Sequence, residues 1–306
     1  MSPSAPKSPC VAAVGMFDGV HAGHCALLGA LVREARARGV RSLVLTFSRH
    51  PLSLVRPGAP VPPGLSTPET RRRLILEKGV DDVLFLDSIP GYNRLTGEEF
   101  LVLLRERFGV VALVVGFNNH FGSDRMDAAR AREISGRTGV EIIEGRPLEL
   151  TDAPAVSSSV IRTLLAEGDV VLAGVLLGRP YALEGEVVHG QALGRTIGFP
   201  TANLRPLAEA PAVPAPGVYA VDAEIPELGL RRRAVTNIGS RPTASGESGP
   251  VTIETHIPQL DADLYGCRIV LHFLRRLRDE RKFPDLGALS AQIRKDIADA
   301  EEGGRY

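Results

Sequence analysis

Short, mainly apolar runs alternate with segments in which apolar residues recur every three or four positions through the first half of the chain. Val11–Val14, Ser42–Phe47, Asp82–Leu86, Val110–Val115 and Val140–Ile143 have the length and β-branched content of buried strands. Between the first two, Leu27, Leu28, Leu31, Val32 and Ala35 repeat with helical spacing until Gly39, a natural helix stop. The same period predicts helices over Thr67–Lys78, Gly97–Phe108 and Met126–Arg137. Strand and helix alternating over about 150 residues predict a parallel sheet with helices on both faces, an α/β, Rossmann-like layer.

Past Val156 the pattern changes. Ser157–Gly168 and Val170–Leu177 read as two short helices. The short runs Leu183–His189, Gly217–Ile225, Leu230–Ile238, Val251–Ile257 and Cys267–Leu274 are then β-rich and separated by Gly and Pro. Such a series predicts a small antiparallel barrel or sandwich. A helical pattern over Leu286–Ala300 closes the chain. The domain boundary is expected at Leu177–Tyr181, giving domains of 1–177 and 178–306, and no internal repeat or low-complexity tract is visible.

Composition narrows the function classes. Lys+Arg and Asp+Glu are 36 each in 306 residues, and this zero net charge argues against a nucleic-acid partner held by general electrostatics. Trp is absent and aromatics are 5%, too few for base-stacking platforms. Cys10, Cys25 and Cys267 form no CxxC and no even framework, so a reducing cytoplasm is expected. The first residues carry no charged-then-apolar leader pattern, and no apolar run is long enough to cross a membrane.

Gly15-Met16-Phe17-Asp18-Gly19-Val20-His21-Ala22-Gly23-His24 joins the first strand to the first helix. Ligands of open α/β sheets bind at the carboxyl ends of strands. There Gly15, Gly19 and Gly23 let backbone approach a phosphate chain, and the helix start offers unpaired N–H groups to an anion. His21 and His24, three apart, can reach one phosphate, which points to nucleotidyl transfer. Thr46–Pro51 and Gly116–Gly122, each after an apolar strand, are candidate walls of the same crevice. In Val156–Arg162 the hydroxyls of Ser157 and Ser158 read first as helix caps, and Arg162 as a phosphate partner or a solvated helix residue.

A second site is expected over Gly190–Asn203, read by composition as a glycine-bearing loop and a turn. Thr201 and Asn203 offer two neutral oxygens suited to one face of a Mg²⁺ that also keeps waters and nucleotide phosphates. In the strand Val251–His256, Glu254 and His256 share one face and Thr255 takes the other. If that face lines a pocket, Glu254 is a candidate base for a hydroxyl nucleophile.

The motifs GMFDGVHAGH, TFSRHP, GFNNHFG, VSSSVIR, LLGRPY, GRTIGFPTANL, PGVYA, NIGSRPT, ETH, DLYG and RDERKF stand in order from Gly15 to Phe283. With them the whole chain resembles the prokaryotic bifunctional riboflavin kinase/FAD synthetase family. The resemblance implies an N-terminal FMN adenylyltransferase and a C-terminal riboflavin kinase, making FMN and then FAD at the expense of ATP. It implies that His21 and His24 bind ATP phosphates with Gly15, Phe17 and Gly23, that Asn118 lies near the transferred group, and that Ser157, Ser158 and Arg162 hold phosphates. In the kinase half it implies ATP under Gly190, Gly194 and Gly198, Mg²⁺ on Thr201 and Asn203, Glu254 as the base, and Arg278 on the flavin. Riboflavin, FMN and ATP are the implied partners, with no nucleic acid, no membrane and weak self-association left open. The alternative reading is a riboflavin kinase with a weak adenylyltransferase domain, because Arg49, Asn119-His120, the residues from Asp124 to Asp127, and Ser159-Val160 depart from the common pattern.

Overall fold

The computed structural model describes residues 8–55, 58–116, 119–145, 156–190, 193–208, 210–242 and 248–302. They fall into two compact units, one of residues up to Pro62 and from Pro68 to Ser157, the other of Pro63–Thr67 and Ser158 onward.

The first unit is a five-stranded sheet of order β3-β2-β1-β4-β5, from β1 (Cys10–Val14), β2 (Arg41–Thr46), β3 (Asp82–Phe85), β4 (Val110–Val115) and β5 (Glu141–Glu144). Every pairing is parallel. Its helices are α1 (Ala22–Ala37), α2 (Pro51–Val55), α3 (Pro68–Leu76), α4 (Gly97–Phe108), α5 (Ala128–Glu133) and α6 (Ser135–Thr138). All five residues of β1 are buried because the strand serves two cores. Cys10, Ala12 and Val14 pack with Phe100, Leu101 and Leu104 of α4. Val11 and Ala13 point the other way, to Leu28 and Leu31 of α1 and Ile75 of α3. Two-sided burial explains the unbroken apolar runs of the sequence. α4 has the expected span, set by a Thr96/Glu99 capping box and by Gly109, whose φ of 73° ends it.

One helix differs from expectation. Met126–Arg137 is two short helices rather than one. Met126 pairs with Phe121 in an isolated bridge, and the Asp127 side chain caps α5 through the Arg130 N–H, so helix begins only at Ala128. Ile134, held in the core at φ −97° and ψ 1°, interrupts the turn before α6.

The second unit opens with α7 (Ser158–Glu167) and α8 (Val170–Leu177) and is built on a closed antiparallel barrel. Its strands are β6 (Tyr181–Val188), β7 (Ala202–Pro206), β8 (Gly217–Ile225), β9 (Leu230–Pro242), β10 (Ser248–His256) and β11 (Arg268–Arg278), in the order β10-β7-β6-β11-β8-β9. The helical pair thus packs with the barrel, ahead of Leu177–Tyr181. Pro63–Thr67 also belongs here: Gly64 donates to the Ala210 carbonyl at 2.7 Å and accepts from the Ala212 N–H at 2.9 Å. Tyr181, Tyr219 and Phe273 are the largest buried side chains of the barrel.

β7 corrects the expected loop and turn. Only Ala202 and Leu204 give it an apolar signal, and it is a strand because β6 and β10 flank it and complete its ladder. A turn at Leu193–Thr196 (α9) precedes it, and α10 (Leu286–Glu302) ends the chain against β8 and β9. α10 is locked by Asp296, which takes a two-pronged ion pair from Arg278 at 2.7 to 3.1 Å and a bond from Gln292 at 2.7 Å. Asp296 is 2% exposed, so loss of Arg278 alone would strand a buried charge, at a cost of about 3–5 kcal/mol.

Candidate functional site

The first candidate site lies where β1 ends. Gly15 donates to the Leu45 carbonyl at 3.1 Å, and a Cβ on Gly15 would sit 3.1 Å from the Phe17 ring. The turn that follows is strained: Phe17 (φ 49°), Gly19 (φ 76°) and Val20 (φ 43°) are all left-handed. For a β-branched valine this conformation is costly. Full burial of Phe17 and Val20 holds it in place.

The strained turn delivers both histidines to the start of α1. His21 is its N-cap, and the His21 Nδ1 accepts the His24 N–H at 3.3 Å. The two imidazoles stack with centroids 3.6 Å apart and 18° between planes, and Phe17 lies 5.2 Å from His24. Gly23 lies close beside them, and a Cβ there would stand 3.3 Å from the His21 ring. The Nδ1 of His24 is closed off from solvent and has no hydrogen-bond partner among the described residues. Burial, then the neighbouring His21 and Arg71, hold the His24 proton affinity well below the usual imidazole range. Gly15, Phe17, His21, Gly23 and His24 therefore form one cluster at the N-terminus of α1, the end of a helix whose dipole favours an anion.

The depressed His24 carries a pH prediction. Below about pH 6.5 the unfolded chain binds a proton at this residue that the folded chain refuses, so stability falls as pH drops through that value. Its contribution reaches about 1.4 kcal/mol per pH unit. Urea unfolding of the wild type should show a lower midpoint near pH 5.5 than at pH 7.5, and His24→Gln should flatten the difference. An unchanged pH dependence in that variant would remove His24 as its source.

The neighbouring loops are tied to the same edge. Thr46 Oγ1 donates to the Met16 carbonyl at 2.9 Å, and Asn119 Nδ2 to the Val14 carbonyl at 2.5 Å. His50 accepts the Leu52 N–H at 3.2 Å. Asn118 lies outside the described residues. Ser157 closes the first unit, and Ser158 opens α7 in the second. Arg162 Nε donates to the Pro63 carbonyl at 2.5 Å. Arg71, buried on α3 with its Nη1 on the Phe47 carbonyl, was not among the sequence candidates. The available signal was its place three and four residues before Leu74 and Ile75, on the apolar stripe.

The second candidate site is in the barrel. Across three strands, Glu254 of β10 is the register partner of Asn203 on β7 and of Asn237 on β9. Thr201 Oγ1 lies 3.5 Å from Glu254 Oε2. A cavity of about 350 Å³ opens on this face, lined by Phe199, Asn237, Glu254, Arg278, Phe283 and Ile293. Thr255 points the other way, buried against Thr236 at 2.9 Å, as strand alternation requires. A further cavity of about 600 Å³ is lined by Arg195, Thr201, Ala202, Thr255, Ile257 and Tyr265. Thr201 thus borders both. A Cβ on Gly190 would displace the Asn203 amide, and Gly194 has no room for a side chain because it abuts the Phe199 carbonyl. Gly198 needs its φ of 84° rather than space. Phe199, Phe283 and Asn237 were also missed; the aromatics were visible only inside motifs.

Two family models divide the chain: FAD synthetase matches residues 4–160 and riboflavin kinase 177–303. The bifunctional riboflavin kinase/FMN adenylyltransferase of Escherichia coli (strain K12) is 37% identical over 303 residues, covering 97% of this chain and 94% of that protein. The chain belongs to this bifunctional family. The enzymes of Pseudomonas fluorescens and Bacillus subtilis are 38% and 36% identical over 302 and 300 residues, covering 95% and 96% of this chain. A solved Streptococcus pneumoniae structure, described as a macrolide-efflux protein, matches 99% of this chain and 97% of its own with a TM-score of 0.86 at 33% identity. That description is of the pneumococcal protein; among the described residues here no helix is long and apolar enough to cross a membrane. The enzyme therefore carries a riboflavin kinase and an FMN adenylyltransferase in one chain.

Proposed function

We propose that the barrel phosphorylates riboflavin across the wall its two cavities share, and that the β1–α1 turn transfers AMP from ATP to the resulting FMN. The observation that carries the kinase reading is Thr201, which borders both cavities beside Glu254. Riboflavin occupies the cavity of about 350 Å³, its ring system against Phe199 and Phe283 and its ribityl chain toward Glu254. ATP occupies the larger cavity, with its γ-phosphate at Thr201. Glu254 takes the proton of the 5′-hydroxyl as that oxygen bonds to the γ-phosphorus. The bond to the β-phosphate oxygen breaks, and ADP leaves. Arg278, held by Asp296, keeps a fixed guanidinium on the flavin side.

The chemistry of the donor set suits Mg²⁺. Thr201 and Asn203 supply neutral oxygens, and no cluster of three or more His, Cys, Asp or Glu among the described residues offers a protein-only cage. These two residues would hold an ion whose remaining ligands are water and nucleotide phosphates, and it would neutralise charge on the transferred phosphoryl group. Thr201→Ala and Asn203→Ala should each raise the Mg²⁺-ATP concentration needed for half-maximal kinase rate about tenfold or more. An unchanged Mg²⁺ dependence in the double variant would sink the assignment.

In the first unit the FMN phosphate is already ionised and needs no base. One of its oxygens bonds to the α-phosphorus of ATP, and the bond to the β-phosphate oxygen breaks to release pyrophosphate. His21, His24 and the α1 N-terminus take up the charge that develops on that leaving group. Ser157 and Asn118, which belong to the same unit, add phosphate contacts in this proposal. The deciding experiment incubates the full-length protein with riboflavin, ATP and Mg²⁺ and scores FMN and FAD separately by chromatography. Both products are expected; FMN without FAD would confine the reading to the kinase half.

A further inference from the structure

Arg71 lies outside every motif that carries the family resemblance, yet it is 2% exposed and sits at the junction of two of them. Its Nη1 donates to the Phe47 carbonyl at 2.5 Å, at the end of β2, and lies 3.8 Å from the Met16 sulfur, in the turn after β1. The bond from Thr46 to the Met16 carbonyl closes the same junction. One buried cation on α3 thus joins the strand ends that present GMFDGVHAGH and TFSRHP.

We propose that Arg71 is a positioning residue for adenylyl transfer, fixing the turn that presents Phe17, His21 and His24 and placing a permanent positive charge behind their phosphate site. The inference rests on the adenylyltransferase reading of that turn. A guanidinium is suited to the place because it stays charged when buried. Burial lowers its proton affinity from the ordinary guanidinium range, and the charges of Asp18, Asp87 and Glu69 act against that shift. The charge also reaches the site: Arg71 is among the groups that lower the His24 proton affinity, after burial and His21. A neutral His24 backed by a fixed cation binds polyphosphate without first having to take up a proton.

The test uses the full-length protein and compares Arg71→Met, which keeps bulk without charge, with Arg71→Lys, which keeps the charge. FAD formation from supplied FMN is resolved into kcat and KM for ATP, His24 is titrated by NMR, and riboflavin phosphorylation is measured alongside. Arg71→Met should lower kcat/KM for adenylylation by about 10–100-fold, raise the His24 proton affinity, and leave FMN formation unchanged. Arg71→Lys should recover most of the rate and the wild-type His24 titration. Adenylylation in Arg71→Met within a factor of about two of wild type, or equal losses in both variants, would overturn the proposal in favour of plain packing. Should Arg71→Met lose its tertiary circular dichroism, Arg71→Lys decides: a folded protein with a large rate loss overturns the role of charge. Wild-type protein that makes no FAD would instead defeat the underlying reading, and the His24 titration would still test what the Arg71 charge does.

Discussion

Glu254→Gln is expected to abolish FMN formation while FAD formation from supplied FMN continues at the wild-type rate. The substitution is nearly isosteric, so the β10 ladder to Asn203 and Asn237 and the cavity wall persist. What disappears is the only change of charge state the proposed mechanism asks of this residue, acceptance of the proton from an alcohol. Positioned general bases contribute about 10²–10⁴-fold, so the loss should be of that order in kcat with little change in KM for riboflavin. Product chromatography from riboflavin, and separately from FMN, measures both halves in one preparation. Kinase activity within a factor of a few of wild type, roughly an order of magnitude short of a base's contribution, would take Glu254 out of the role.

The face carrying Glu254 was legible before any coordinates. Alternation along Val251–His256 separates Glu254 and His256 from Thr255, and the structure puts the first two on the smaller cavity and buries the third. The sheet of the first unit was equally legible, because strands buried on both faces leave continuous apolar runs. β7 was not. A short strand flanked on both edges takes its stability from its neighbours' ladders, and its own residues, with Asn203, Arg205 and Pro206 among them, carry a polar, turn-like composition. The break between α5 and α6 was hidden for a related reason: the isolated bridge between Phe121 and Met126 is a tertiary constraint with no local period. Arg71 shows the limit on the site itself. A basic run in a helix reads as a solvated face, and only the packing of β1, β2 and α3 turns one member of that run inward.

His24→Ala should do the reverse of Glu254→Gln, leaving FMN formation intact and removing FAD. The kinase groups Thr201, Asn203, Glu254 and Arg278 all belong to the second unit, whereas His24 is held in the first by His21, Phe17 and the α1 N-terminus. In the proposed reaction the burden on the protein is charge on departing pyrophosphate, and loss of one donor in such a site costs about 10²–10³-fold. The loss should fall mainly on kcat, since the developing charge exists only in the transition state. His24→Asn, which keeps an N–H donor in less space, should fall between wild type and alanine. Thermal unfolding of each variant guards against reading a collapsed turn as lost chemistry, because Phe17 and Val20 hold left-handed backbone that depends on packing around this ring. The measurement is FMN and FAD yield under identical Mg²⁺-ATP conditions. A folded His24→Ala protein that still makes FAD at near wild-type rate, or one that loses FMN formation as well, would show that the two chemistries are not divided between the β1–α1 turn and the barrel.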